Sequence, residues 1–157
     1  MNSPKTRLFA LLAFATLLVS GCMTPQPQKT SLELQAFEKK EFATTKEIAF
    51  ASTVSVFQDY GYIIHSADLA TGLISAQSPT KSYSLFGVHM ENTEASAFVE
   101  SLGANRATIR LNFVQVHQSS STYGMNSKDE EPIEEPKIYQ DAFQKIQEAV
   151  FIRSNTN

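Results

Sequence analysis

Arg106-Ala107-Thr108-Ile109-Arg110-Leu111-Asn112-Phe113 sets small or apolar side chains at 107, 109, 111 and 113 against polar ones between them. Successive side chains of a strand point to opposite faces, so this alternation predicts a strand with one buried and one wet face, as in an antiparallel sheet. The strand is expected over residues 106–117, joined around Gly103-Ala104-Asn105 to a partner over residues 95–102. Upstream, Tyr62-Ile63-Ile64-His65-Ser66 and Leu73-Ile74-Ser75-Ala76-Gln77 form a second pair across the turn at residues 67–72, and Pro79 closes it. A first strand is expected within residues 35–42, its outward positions charged as on a sheet edge.

A sheet with one apolar face needs a cover, and two helices supply it. Thr44 or Thr45 can cap a helix over residues 45–60, with Glu47 in the first turn. At 100° per residue, Ala49, Phe50, Thr53, Val54, Val56, Phe57 and Tyr60 share one arc, and Glu47, Ser52, Ser55, Gln58 and Asp59 fall outside it. Gly61 stands where a left-handed residue commonly ends a helix. After Pro136, Tyr139, Phe143, Ile146 and Val150 recur at helical spacing as a second buried stripe. The expected fold is α+β, one domain over residues 35–153, with a mostly antiparallel sheet of about 4–5 strands, two helices on one face and the order β-α-β-β-β-β-α. Residues 118–135, with a serine run and the acidic Lys128-Asp129-Glu130-Glu131-Pro132-Ile133-Glu134-Glu135, read as a solvated loop, and residues 154–157 as a disordered tail.

The N-terminus has a different grammar. Lys5 and Arg7 precede an apolar run over residues 8–19 that Thr16 alone interrupts, and Ser20, Gly21 and Cys22 close it. The layout is that of an export signal, and about 12 residues is short of the ~20 that span a bilayer. Val19-Ser20-Gly21-Cys22 resembles a bacterial lipobox. That resemblance implies cleavage before Cys22, diacylglycerol on its thiol and acylation of the freed amine, so residues 1–21 are a signal peptide and the protein meets the membrane through lipidated Cys22. Met23 stands where many enterobacterial lipoproteins retained in the inner membrane carry aspartate, so the resemblance points to the outer membrane, periplasmic face. Residues 22–34 are then the lipidated cysteine and a polar, proline-containing tether.

Removing residues 1–21 takes away two basic side chains and no acid, leaving 136 residues with 11 basic against 16 acidic groups, net −5. That length suffices for a real core, and an acidic chain without a basic cluster argues against nucleic acid as a partner. Cys22 is the single cysteine, so no intramolecular disulfide can form.

Gln58-Asp59-x-Gly61-Tyr62-x-Ile64, Ala67-Asp68, Gly72-Leu73-Ile74-Ser75-Ala76, Arg110-Leu111-Asn112-Phe113 and the closing Tyr139, Phe143, Ile146 and Phe151 resemble a group of small, largely uncharacterised bacterial lipoproteins. The likeness covers most of residues 40–152; its motifs are structural, so it implies fold and localisation and carries no active site. In layout the chain is also similar to helix-grip domains of lipoprotein subunits in envelope assembly machines.

Candidates for chemistry are few. His65 and His117 fall on separate expected strands and His89 in a loop, without the short spacing of a zinc site, so no metal or cofactor is expected. Ser78-Pro79-Thr80-Lys81 matches a Ser-x-x-Lys string but does not open a helix. Asp59, an acid at a helix C-terminus, faces the unfavourable end of the dipole and reads as a solvated group. Ser82-Tyr83-Ser84-Leu85-Phe86-Gly87-Val88-His89-Met90 has five large apolar side chains between two expected strands. Either it folds back as a short helix or extra strand over the core, or Leu85, Phe86, Val88 and Met90 form a contact site for a partner or the bilayer. The functional expectation is a non-enzymatic protein-interaction or accessory module of the cell envelope with an envelope protein as partner; the alternative is a carrier holding a small apolar ligand between sheet and helices.

Overall fold

The computed structural model describes residues 30–84, 88–121 and 125–156. Cys22, and with it the expected signal peptide and most of the expected tether, lies outside the described residues, as do Leu85 and Phe86. The fold is α+β: one antiparallel sheet of seven strands with three helices among the described residues, more strands and one more helix than expected.

The chain opens with helix α1 (Ser31–Glu38), followed by strand β1 (Lys39–Phe42). Residues 31–34, expected in the tether, and 35–38, expected to start a strand, are therefore helical. The cause is a capping box: Thr30 accepts from the Glu33 N–H while the Glu33 carboxylate takes the Thr30 N–H at 2.8 Å. Helix α2 (Lys46–Asp59) is capped by Thr45, and Gly61 ends it at φ +80°. Strands β2 (Ile63–Asp68) and β3 (Leu73–Gln77) form the expected hairpin.

Beyond Pro79 the chain makes a further strand, β4 (Lys81–Ser84), then β5 (Val88–Gly103) and β6 (Arg106–Ser120). The acidic stretch is a strand as well, β7 (Asn126–Pro132), where a loop was expected. Helix α3 (Pro136–Thr156) closes the chain and runs into the expected tail.

Strand order is β1-β6-β5-β3-β2, with β4 added to β5 and β7 to β6. Strand β5 is paired along its length with β6, from Gly103↔Arg106 to Val88↔Ser120. The half of this hairpin next to Gly103 carries the core: Ala95, Ala97, Val99, Ala107, Ile109, Leu111 and Phe113 point to the helices and are buried with Ile74, Phe57, Phe143 and Ile146. Helices α2 and α3 lie side by side over that face, as expected, and α1 sits at its margin, Phe37 edge-on to Tyr139 at 5.0 Å. Ser52 departs from the helical wheel: placed on the outer arc, it is fully buried because α3 flanks α2.

Candidate functional site

From Phe113 onward the hairpin leaves the helix layer. Residues 88–94 of β5 and 114–120 of β6, flanked by β4 and β7, form a four-stranded extension of the sheet. Seven residues at ~3.3 Å each carry it about 23 Å from Phe113 to Ser120. Of the expected contact residues, Val88 lies in its last described row, opposite Ser84 and Ser120, and is 45% exposed; Met90 is half-buried opposite Ser82 and Gln118. The described residues of the segment thus lie on two strands of the sheet, away from the core that they would cover if the segment folded back.

Register fixes what each face presents. On the face continuous with the helix side, one row reads Lys81, Glu91, His117, Asp129, and the next reads Tyr83, His89, Ser119, Ser127. Glu91 is the hub: it accepts from Tyr83 Oη at 2.9 Å and from Gln115 Nε2 at 3.1 Å, and His117 Nδ1 lies 3.6 Å away. The Tyr83 hydroxyl, donating to that carboxylate, has its pKa raised. Thr93 donates to Gln115 Oε1 at 3.1 Å, which continues the network to the edge of the core. His89 stacks on Tyr83 with ring centroids 6.3 Å apart. The other face carries the Lys128–Glu130 ion pair and buries Asn92 and Val116.

The remaining candidates are scattered. His89 lies on β5 rather than in a loop, and His65 is on β2 with Nε2 3.2 Å from Gln77 Oε1. Among the described residues no group of three or more His, Cys, Asp or Glu side chains could hold a metal ion. Ser78 sits on the connector after β3, and its Oγ accepts the Thr93 N–H at 2.8 Å, a strand-tying bond. Asp59 is the exposed last residue of α2. The Glu91 hub escaped the sequence reading; Glu91-x-Thr93 and Gln115-x-His117, polar at alternate positions on neighbouring strands, are its signature.

Between sheet and helices, where a ligand was expected under the alternative reading, Phe57, Phe113 and Tyr139 are buried, with Phe113 in edge contact with both other rings. A groove of about 580 Å³ lies instead in the helix layer, between Ile48 and Ala51 of α2 and Ala149 and Ile152 of α3, with Glu47 and Arg153 at its polar margin. Among the described residues no helix is long and apolar enough to cross a membrane. No protein-family model matches this chain, and no curated protein sequence matches it.

Proposed function

We propose that this protein is a lipid-anchored lipoprotein of the cell envelope, held by Cys22 in the outer membrane at its periplasmic face, and that it is a non-enzymatic accessory module working through contact with an envelope protein. The observation that carries the reading is the sheet extension: about 23 Å of four-stranded sheet beyond the helix layer, in which β4 and β7 each pair with a single neighbour among the described residues. Open strand edges and a preformed polar face suit recognition of another chain. The lipobox-like Val19-Ser20-Gly21-Cys22 supports the anchor, and the resemblance to small bacterial lipoproteins supports the setting.

The test is cross-linking in intact cells, comparing wild type with Cys22→Ser and with changes on the extension. Labelling by a fatty-acid analogue is expected in the wild type and lost in Cys22→Ser. A discrete cross-linked protein is expected to disappear when Glu91 and His117 are both changed to alanine. A wild type that labels but captures nothing overturns the partner reading and leaves the anchor.

A second reading, carriage of a small apolar ligand, is favoured by the groove between α2 and α3. Extraction of the purified protein with organic solvent tests it: a stoichiometric amphiphile lost in Ala51→Phe supports carriage, and an empty extract removes it.

A further inference from the structure

Charge is unevenly distributed along the extension. Residues 82–90 and 118–127 contain no Asp, Glu, Lys or Arg. In register the described residues of these stretches, 82–84, 88–90, 118–121 and 125–127, are one end of the sheet: its last described rows are Ser84, Val88, Ser120, Asn126 and Tyr83, His89, Ser119, Ser127. Charge begins behind them, at Lys128, then at Lys81, Glu91 and Asp129. Two residues of strand separate Lys128 from the last described row and three separate the Lys81–Asp129 row, about 7 and 10 Å. Within that uncharged zone Tyr83 is 55%, Val88 45% and Met125 74% exposed.

We infer that this uncharged tip rests on the same bilayer that holds the Cys22 lipid, so that the domain stands on its sheet extension with the helix layer turned away from the membrane. The inference rests on the anchor proposed above. Two further observations place the occupant. The first is reach: the eight residue steps from Cys22 to Thr30 extend to at most about 29 Å. They join the domain at α1, whose Phe37 packs on Tyr139, itself 5.2 Å from Phe113 at the root of the extension. The reach of the tether exceeds the length of the extension, about 23 Å, so a domain held by it can set its tip on the surface in which the anchor is buried.

The second is depth and chemistry. Interfacial apolar groups enter roughly 5–10 Å into the headgroup and acyl boundary, which matches the uncharged zone. Tyrosine suits that layer, one end apolar and one wet. Behind the zone Glu91, Glu94, Asp129, Glu130 and Glu131 outnumber Lys81 and Lys128, so a zwitterionic surface is the fitting one. Phe151 and Ile152 are comparably exposed but sit at the far end of α3. That helix tracks back from Phe113 toward Ala107, since Phe143 meets Phe42, the partner of Ala107. Those two residues face away from the membrane and leave the edges of the extension free for the partner.

The chain contains no tryptophan, so one introduced indole reports without background. Lipidated full-length protein carrying Met125→Trp, and separately Phe151→Trp, is reconstituted into phosphatidylcholine vesicles with brominated chains. Both positions are exposed, so neither change disturbs the core. Met125→Trp is expected to lose about half its emission or more, with a blue shift, because bromines quench indoles at interfacial depth; Phe151→Trp is expected to be unaffected. Adding Tyr83→Asp and Val88→Asp is expected to abolish the quenching while flotation with the vesicles persists. Flotation without quenching of Met125→Trp overturns the tip contact and leaves the anchor standing; failure to float overturns both. A photo-cross-linker at position 125 that captures one discrete protein in cells, in place of lipid, also overturns it.

Discussion

Ser52 and Tyr139 show opposite treatments of a buried hydroxyl. The Ser52 side chain is fully buried and its Oγ has no hydrogen-bond partner among the described residues, whereas the Thr53 hydroxyl, equally buried, donates to Ala49 O at 2.9 Å. An unpartnered buried hydroxyl costs about 1–3 kcal/mol, so Ser52→Ala is expected to stabilise the domain by ~1 kcal/mol, read as a higher urea midpoint at unchanged slope. Tyr139 donates to Ile133 O at 2.8 Å, and burial pushes its pKa up to about 12. A folded pKa above the unfolded value near 10 means that the folded state holds the proton longer. The phenol's contribution is therefore complete below about pH 10 and is lost as pH rises through about 12. Tyr60, Tyr62 and Tyr83 are shifted in the same direction. Alkaline unfolding is expected to coincide with tyrosinate absorbance, and Tyr139→Phe is expected to flatten that pH dependence.

At the scale of elements, the β2–β3 turn shows how close packing fixes a residue type. Gly72 has φ +82°, and a Cβ there would stand 2.1 Å from Val99 O, the carbonyl of the residue whose N–H bonds Gly72 O at 2.8 Å. Gly61 has nearly the same φ with open space around it. Left-handed strain alone costs roughly 1–2 kcal/mol, and overpacking against backbone adds 1–3. Gly61→Ala is therefore expected to cost about 1 kcal/mol and Gly72→Ala about 3, measured by urea unfolding. The elements legible in the sequence were those that bury one face: β3, the inner halves of β5 and β6, α2 and the stripe of α3. In the sequence of β6 small or apolar and polar residues alternate from Ala107 to Phe113, and the alternation fades at Val114, where the helix cover ends. For the same reason β4 and β7, every residue exposed, left no period to read. The start of α1 was missed although its capping pair, Thr30 and Glu33, stands in the sequence, because its apolar positions are sparse. The apolar content of residues 82–90 was legible, but their place in two strands was not, and the Glu91 hub was not, since both depend on register across strands.

At the scale of the whole molecule, the domain is a covered half and an uncovered half sharing one long hairpin. The covered half supplies the cohesion, with Phe42, Phe57, Ile74, Ile109, Leu111, Tyr139 and Ile146 all below 2% exposure. The half beyond the helices is ordered by register with that hairpin and by polar bonds such as those to Glu91, and it offers its Glu91 face and two edges. Joining them sets the extension on a well-packed base, an arrangement that suits the contact role proposed above.

Strand β1, the first strand of the domain, pairs with β6 from Lys39↔Arg110 to Phe42↔Ala107, and the α2 face is covered only when α3 arrives. These contacts join distant parts of the chain, so their formation waits on closure of long loops, and such closure is slow. A polypeptide emerging from its N-terminus can zip β5 onto β6 early, but it cannot finish its core until the last helix is free. For a chain exported as proposed above, the topology would keep it unfolded, and so threadable through a narrow channel, until nearly its whole length had been delivered.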